Sequence, residues 1–295
     1  MKRSYIGNTM LFAAALIWGT AFVFQSLGVN AVGPFTLSAA RMLLGGLVLL
    51  PVIAIFGRKF DALSVKAGII CGIVLTLGSN LQQTGIMTTS AGKAGFITAL
   101  YIVIVPLLSI FLRKKISRRV WLCVMIAVLG FYMLCVKEDF SVARGDLIIL
   151  CASVCFSAHI LCIDYYSDRG ADGIVMSCVQ FLTVSVISGV LMVLFEEPSV
   201  SGLIEAKWSI LYLGICSSGI AYTLQILGQQ RTQATIGTLI MSLESVFAAL
   251  AGWLFLHEHM SAKELLGCLL VFTAVIIAQL PGHKKKNERT HGKKA

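Results

Sequence analysis

Apolar residues in this chain come in long runs, parted by short polar or basic connections. A helix needs roughly 20 such residues to cross a hydrocarbon core. Ten segments of about that size are predicted, near residues 8–28, 34–56, 66–87, 92–113, 119–136, 145–166, 172–194, 207–228, 235–256 and 262–280. They must be helical, because lipid offers no hydrogen-bond partner to an open backbone. A β-barrel would show short segments of alternating polarity, a pattern foreign to this sequence. The N-terminal stretch begins like a signal peptide but runs on past Phe24 without a convincing cleavage site, so a retained first helix is expected.

Composition sharpens this picture. Of 295 residues, 57% are apolar and 13% charged, about half the charged share that a water-facing surface requires. The nine cysteines all fall inside apolar stretches without a CxxC pair, and read as small apolar helix residues.

The formal charge of +10 is carried by the connections and the C-terminal tail. No contiguous basic stripe forms, which argues against nucleic acid as a partner. If the N-terminus is cytoplasmic, eighteen Lys and Arg fall inside and five outside, with Arg41 left within a span. That asymmetry predicts both termini on the cytoplasmic side, with 282–295 a basic, disordered cytoplasmic tail.

A shift of 138 to 143 positions brings similar residues into register. Gly7-Asn8 lies over Gly145-Asp146, Trp18 over Phe156, and Arg41 over Gln180. Leu81-Gln82 and Gly85 lie over Leu224-Gln225 and Gly228, Ala91 to Leu100 runs over Ala234 to Leu243, and Tyr101 falls on Glu244. The chain therefore reads as two repeats, 1–137 and 138–281. Five spans per repeat is an odd number, so the halves cross the membrane in opposite senses. Inverted repeats of this kind enclose a midplane site in many secondary transporters.

WGTAFVFQ (18–25), GPFTLSAAR (33–41), TTSAGKAGFITALYIVIVPLLS (88–109) and LIMSLESVFAALAGWLFLHE (239–258) resemble the EamA family of the drug/metabolite transporter superfamily. The resemblance covers nearly the whole chain. It implies an all-α integral membrane protein of about ten helices, arranged as two inverted five-helix repeats around a central cavity. It further implies transport of metabolites such as amino acids, often outward, in the cytoplasmic (inner) membrane of a bacterium. Many relatives carry Pro after the Glu of the ninth helix, where this chain has Ser245; a straighter, stiffer ninth helix is expected from that departure.

Glu244 is the sharpest chemical signal, the one acidic residue of fourteen near the middle of a predicted span. A carboxyl at that depth must face a partner, water or the protein interior. It is a candidate for proton coupling or for a cationic group, against a role in locking helices. Arg41 keeps its charge under all ordinary conditions; it is read as a structural anchor, a partner of a carboxylate such as Glu244, or a contact for a substrate carboxylate. Asn80, Gln82, Gln83 and Gln225 bring amides that bond a zwitterion or glue helices together. Trp18, Tyr101 and Tyr222 have the size and polar tip of cavity-wall residues. His159, in the sixth span, is read as a hydrogen-bonded packing residue. His257-Glu258-His259 does not set both imidazoles on one helix face, so no metal site is expected, and no cofactor.

A secondary carrier for a small solute, with protons as the candidate coupling ion, is the main functional expectation. A lipid or lipid-linked sugar flippase on the same scaffold is the alternative. No Walker A sequence is present, no catalytic constellation lies in the spans, and no ring of filter residues marks a channel. Monomer and homodimer both remain open.

Overall fold

The computed structural model describes residues 2–89, 91–113, 116–135, 143–255 and 261–279, and every regular element among them is helical. In order, spans one to three are Lys2–Ala31, Pro34–Ile55 and Ala62–Ile86; span four is Ala91–Thr98 followed by Tyr101–Phe111; span five is Arg118–Cys135. Spans six and seven are Arg144–Ser167 and Gly173–Phe195. Span eight joins Lys207–Leu211, a wide π-helical stretch Tyr212–Tyr222 and Thr223–Gln229; span nine is Ala234–Met241 then Leu243–Phe255; span ten is Ala262–Gln279. The protein is an all-α membrane protein of about ten helices. Its polarity is inside out. Large apolar side chains such as Phe111, Ile55 and Val193 are exposed, whereas Arg41, Gln82, Gln83, Gln180, Gln225 and Glu244 are buried. Only a surrounding hydrocarbon phase makes that distribution favourable.

Local chemistry sets several helix ends. Asp61 accepts a hydrogen bond from the Ser64 amide at 3.0 Å, capping span three. Asp172 accepts from Ile174 N at 2.9 Å and Val175 N at 3.2 Å, capping span seven. Span two opens on Gly33 and Pro34, with no side chain of its own to cap it. The cap arrives from 160 residues away: Glu196, at the end of span seven, accepts from Phe35 N and Thr36 N, both at 2.8 Å, and from the Thr36 hydroxyl at 2.6 Å. A Cβ at position 33 would overlap that carboxylate as it is placed, so glycine leaves room for the cap.

The most extensive helix contacts all join one half to the other: span three with six and seven, two with seven, five with ten, and one with nine. The pattern survives exchange of the halves. Span three on seven is matched by eight on two, three on six by eight on one, and four on six by nine on one. Glycine faces make the close approaches possible. At Gly72, a Cβ would sit 2.6 Å from Thr183 Cβ and 2.9 Å from Gln180 O, which fixes how closely span three lies on span seven.

The two ends of the bundle repeat one motif with different chemistry. At one end Gly145 lies against Thr89 and the backbone of Gly85, and the Thr89 hydroxyl donates to Asp146 at 2.8 Å. At the other, Gly7 lies against Thr232 and the backbone of Gly228, and the Thr232 hydroxyl donates to Asn8 at 2.9 Å. The first end adds an ion pair, Lys93 Nζ to Asp146 Oδ2 at 2.5 Å. Asn8 instead donates to Gln279 at 3.2 Å.

Two features depart from expectation. Span nine is not straight: it breaks at Ser242, with the Ser245 amide bonding back to Ser242 O in a tightened i→i−3 turn. The hydroxyls of Thr238 and Ser242 bond back to backbone carbonyls three residues earlier, an interaction that bends helices without proline. Span four breaks at Ala99–Leu100, the matching place in the repeat. A short helix, Val200–Glu205, stands in the connection between spans seven and eight. His257-Glu258-His259 and the tail 282–295 lie outside the described residues.

Candidate functional site

Where the two halves cross, the breaks in spans four and nine and the wide turns of span eight leave a central cavity of about 510 Å³, its opening included. Its walls come from spans one, two, three, four, six, eight and nine. The repeat register organises the lining. Trp18 and Phe156, Gln82 and Gln225, and Tyr101 and Glu244 are matched pairs that both reach the cavity. By the same shifts so are Phe22 and Ile160, and Thr98 and Met241. Equivalent positions of the two halves thus line one space.

Glu244, on the first turn after the break in span nine, is 4% exposed. The Tyr101 hydroxyl, on the first turn after the break in span four, donates to its Oε1 at 3.0 Å. A repeat pair thus meets as donor and acceptor. The neighbouring Ser245 hydroxyl donates to Gly95 O at 2.8 Å and ties the two broken helices together. Gln82 donates to the Thr98 hydroxyl at 2.9 Å, and Ser153 donates to Thr98 O at 2.9 Å. Trp18 Nε1 donates to Ser217 O at 3.3 Å, a carbonyl within the π-helical stretch. Tyr222 meets the Trp18 ring edge to face, centroids 4.8 Å apart.

Of the residues singled out from the sequence, Trp18, Arg41, Gln82, Tyr101, Tyr222, Gln225 and Glu244 line this one cavity. Asn80 and Gln83 do not. Successive helix positions turn by about 100° each, so with Gln82 facing the cavity its neighbours turn elsewhere. Asn80 donates to Ser188 of span seven at 2.9 Å and serves as interhelical glue. Gln83 is buried away from the lining, without a hydrogen-bond partner among the described residues. Arg41 does not pair with Glu244: among the described residues no hydrogen bond or ion pair reaches it. His159 bonds Gln180 at 3.0 Å, as a packing residue would, yet it also lines the cavity. Gln25, Thr98 and Ser217 line it too and escaped the sequence reasoning. Gln25 lies at the end of the WGTAFVFQ block and was legible; a threonine or serine in an apolar helix carries no such signal.

Two helical halves that interlock around one cavity, with polar side chains set in its wall, are an arrangement found in membrane transport proteins. The sequence matches the EamA-like transporter family over residues 5–136 and again over 143–279, and the chain belongs to that family. An uncharacterized transporter of Archaeoglobus fulgidus is 30% identical over 95% of this chain and 87% of its own length. The uncharacterized transporter YoaV of Bacillus subtilis is 23% identical over 94% of this chain and 97% of its own. The uncharacterized inner membrane transporter YedA of Escherichia coli is 23% identical over 92% and 89%. A crystal structure at 21% identity shares the fold, with a TM-score of 0.78 over 93% of this chain and 96% of its own.

Proposed function

We propose that this protein is a secondary carrier that exports a small metabolite, of the size of an amino acid, across the cytoplasmic membrane of a bacterium by alternating access. Both termini lie in the cytoplasm on this reading. The observation that carries it is the cavity itself, lined by matched residues of two oppositely oriented halves, so that rocking one half against the other exposes the same residues to each side. A cavity walled by helices of both halves suits a small solute; a lipid-linked sugar would need a laterally open groove. Glu244 is the coupling residue in this scheme, taking up a proton or a cationic group, with Tyr101 holding it in place.

The test is counterflow into proteoliposomes with a panel of labelled amino acids and related metabolites, comparing wild type with Glu244→Gln, with and without a proton gradient. Saturable exchange of one solute class supports the carrier. Exchange that persists in Glu244→Gln but no longer responds to the gradient assigns coupling to Glu244. If no solute exchanges while a fluorescent lipid crosses the bilayer, the carrier reading fails in favour of a flippase.

A further inference from the structure

Arg41 is the group that the protein leaves unanswered. It sits in the second turn of span two, is 2% exposed, and lines the cavity. Its Nε has no acceptor, and among the described residues no carboxylate comes within ion-pair distance. Glu244, the acid in the same cavity, takes the Tyr101 hydroxyl instead. A guanidinium stays charged inside a protein, and a buried charge without a partner is strongly unfavourable. Proteins keep such a group where a ligand completes it. Two further polar atoms in the lining wait in the same way: among the described residues, Gln25 Oε1 and Gln225 Oε1 are buried acceptors with no donor.

We propose, building on the carrier reading, that Arg41 is the anchor for a carboxylate on the transported solute, and that the solute is a small monocarboxylate with an apolar body. Guanidinium and carboxylate match as a planar fork on a fork. One cation answers one negative charge. A phosphate dianion would leave surplus negative charge buried beside Glu244, with no second Lys or Arg in the described lining to meet it. Trp18, Phe22, Phe156, Ile160 and Met241 give the lining an apolar part suited to hydrocarbon or an aromatic ring. The idle oxygens of Gln25 and Gln225 accept from an N–H or O–H of the solute, which adds affinity to acids that carry one.

The experiment is thermal unfolding of the full chain in detergent, with matched probes: 4-methylpentanoate and 3-phenylpropanoate against their primary amides, and leucine against leucinamide. Wild type is expected to melt several degrees higher with the acids and to ignore the amides. Arg41→Gln is expected to melt at or above unliganded wild type, because a buried, unpaired charge has gone, and to lose the shift with acids. Arg41→Lys keeps the charge without the fork and retains a reduced shift. The proposal is overturned if Arg41→Gln melts well below wild type, if it keeps the acid shift, if amides stabilise as well as acids, or if no acid shifts wild type. Counterflow separates this from the underlying reading. Acids that stabilise wild type but never exchange leave the anchor standing and sink the carrier. Amides that exchange as fast as acids, in wild type and Arg41→Gln alike, keep the carrier and sink the anchor.

Discussion

Glu244 and Tyr101 show how far one residue can be read. A carboxyl inside an apolar run stands out because its burial is costly, and the repeat register alone names Tyr101 as its mate. Their hydrogen bond joins residues 143 positions apart in sequence. Tyr101→Phe removes that donor and is expected to lower stability by about 1 kcal/mol, seen as a lower midpoint in thermal unfolding. The same substitution leaves Glu244 free to turn in the cavity, so coupled transport should fall further than binding. Amides were harder to place. Asn80, Gln82 and Gln83 look alike in composition, and only the helix phase sends one to the cavity and the others away. Ser188→Ala, which strips Asn80 of its partner, should cost about 0.6–1 kcal/mol and leave transport intact. That contrast separates glue from lining.

At the scale of helices, the length and apolar character of each span set its existence, and both are plain in the sequence. Interruptions within spans were not legible. The break at Ser242 goes with hydroxyls that bond back to the backbone, and neither it nor the π-helical stretch Tyr212–Tyr222 has a proline or a charge to mark it. The close approach of span three to span seven was half legible: Gly68 and Gly72 announce a small-residue face, but the Thr183 and Gln180 atoms that meet Gly72 carry no matching sign. The cap that Glu196 lends to span two was hidden for another reason: donor and acceptor meet only once spans two and seven have paired. Glu196→Ala strips three hydrogen bonds from the start of span two and is expected to cost about 1–2 kcal/mol. Hydrogen exchange should quicken over residues 33–38 and stay unchanged elsewhere.

Across the whole molecule the repeat was visible in outline, because matched residues keep their order through the first four spans of each half. Its asymmetry was not, since Asp146 and Asn8 differ by one atom type while the contacts that they hold differ in kind. Lys93→Met leaves Asp146 with hydroxyl and backbone donors only. It should cost about 2 kcal/mol and speed hydrogen exchange over residues 85–98, whereas Asn8→Ala should cost about 1 kcal/mol and act on residues 228–236. The interlocking of the halves bears on how the chain is made. Spans two, three and five leave the ribosome before their chief neighbours, spans six, seven and ten, have been synthesised. Through that interval Arg41 and the amides of span three stand in the bilayer without the surfaces that will cover them. A nascent first half is therefore a client for quality control rather than a folded unit. Residues 1–137 expressed alone should be degraded, and co-expression of 138–295 as a separate chain should restore both to the membrane fraction.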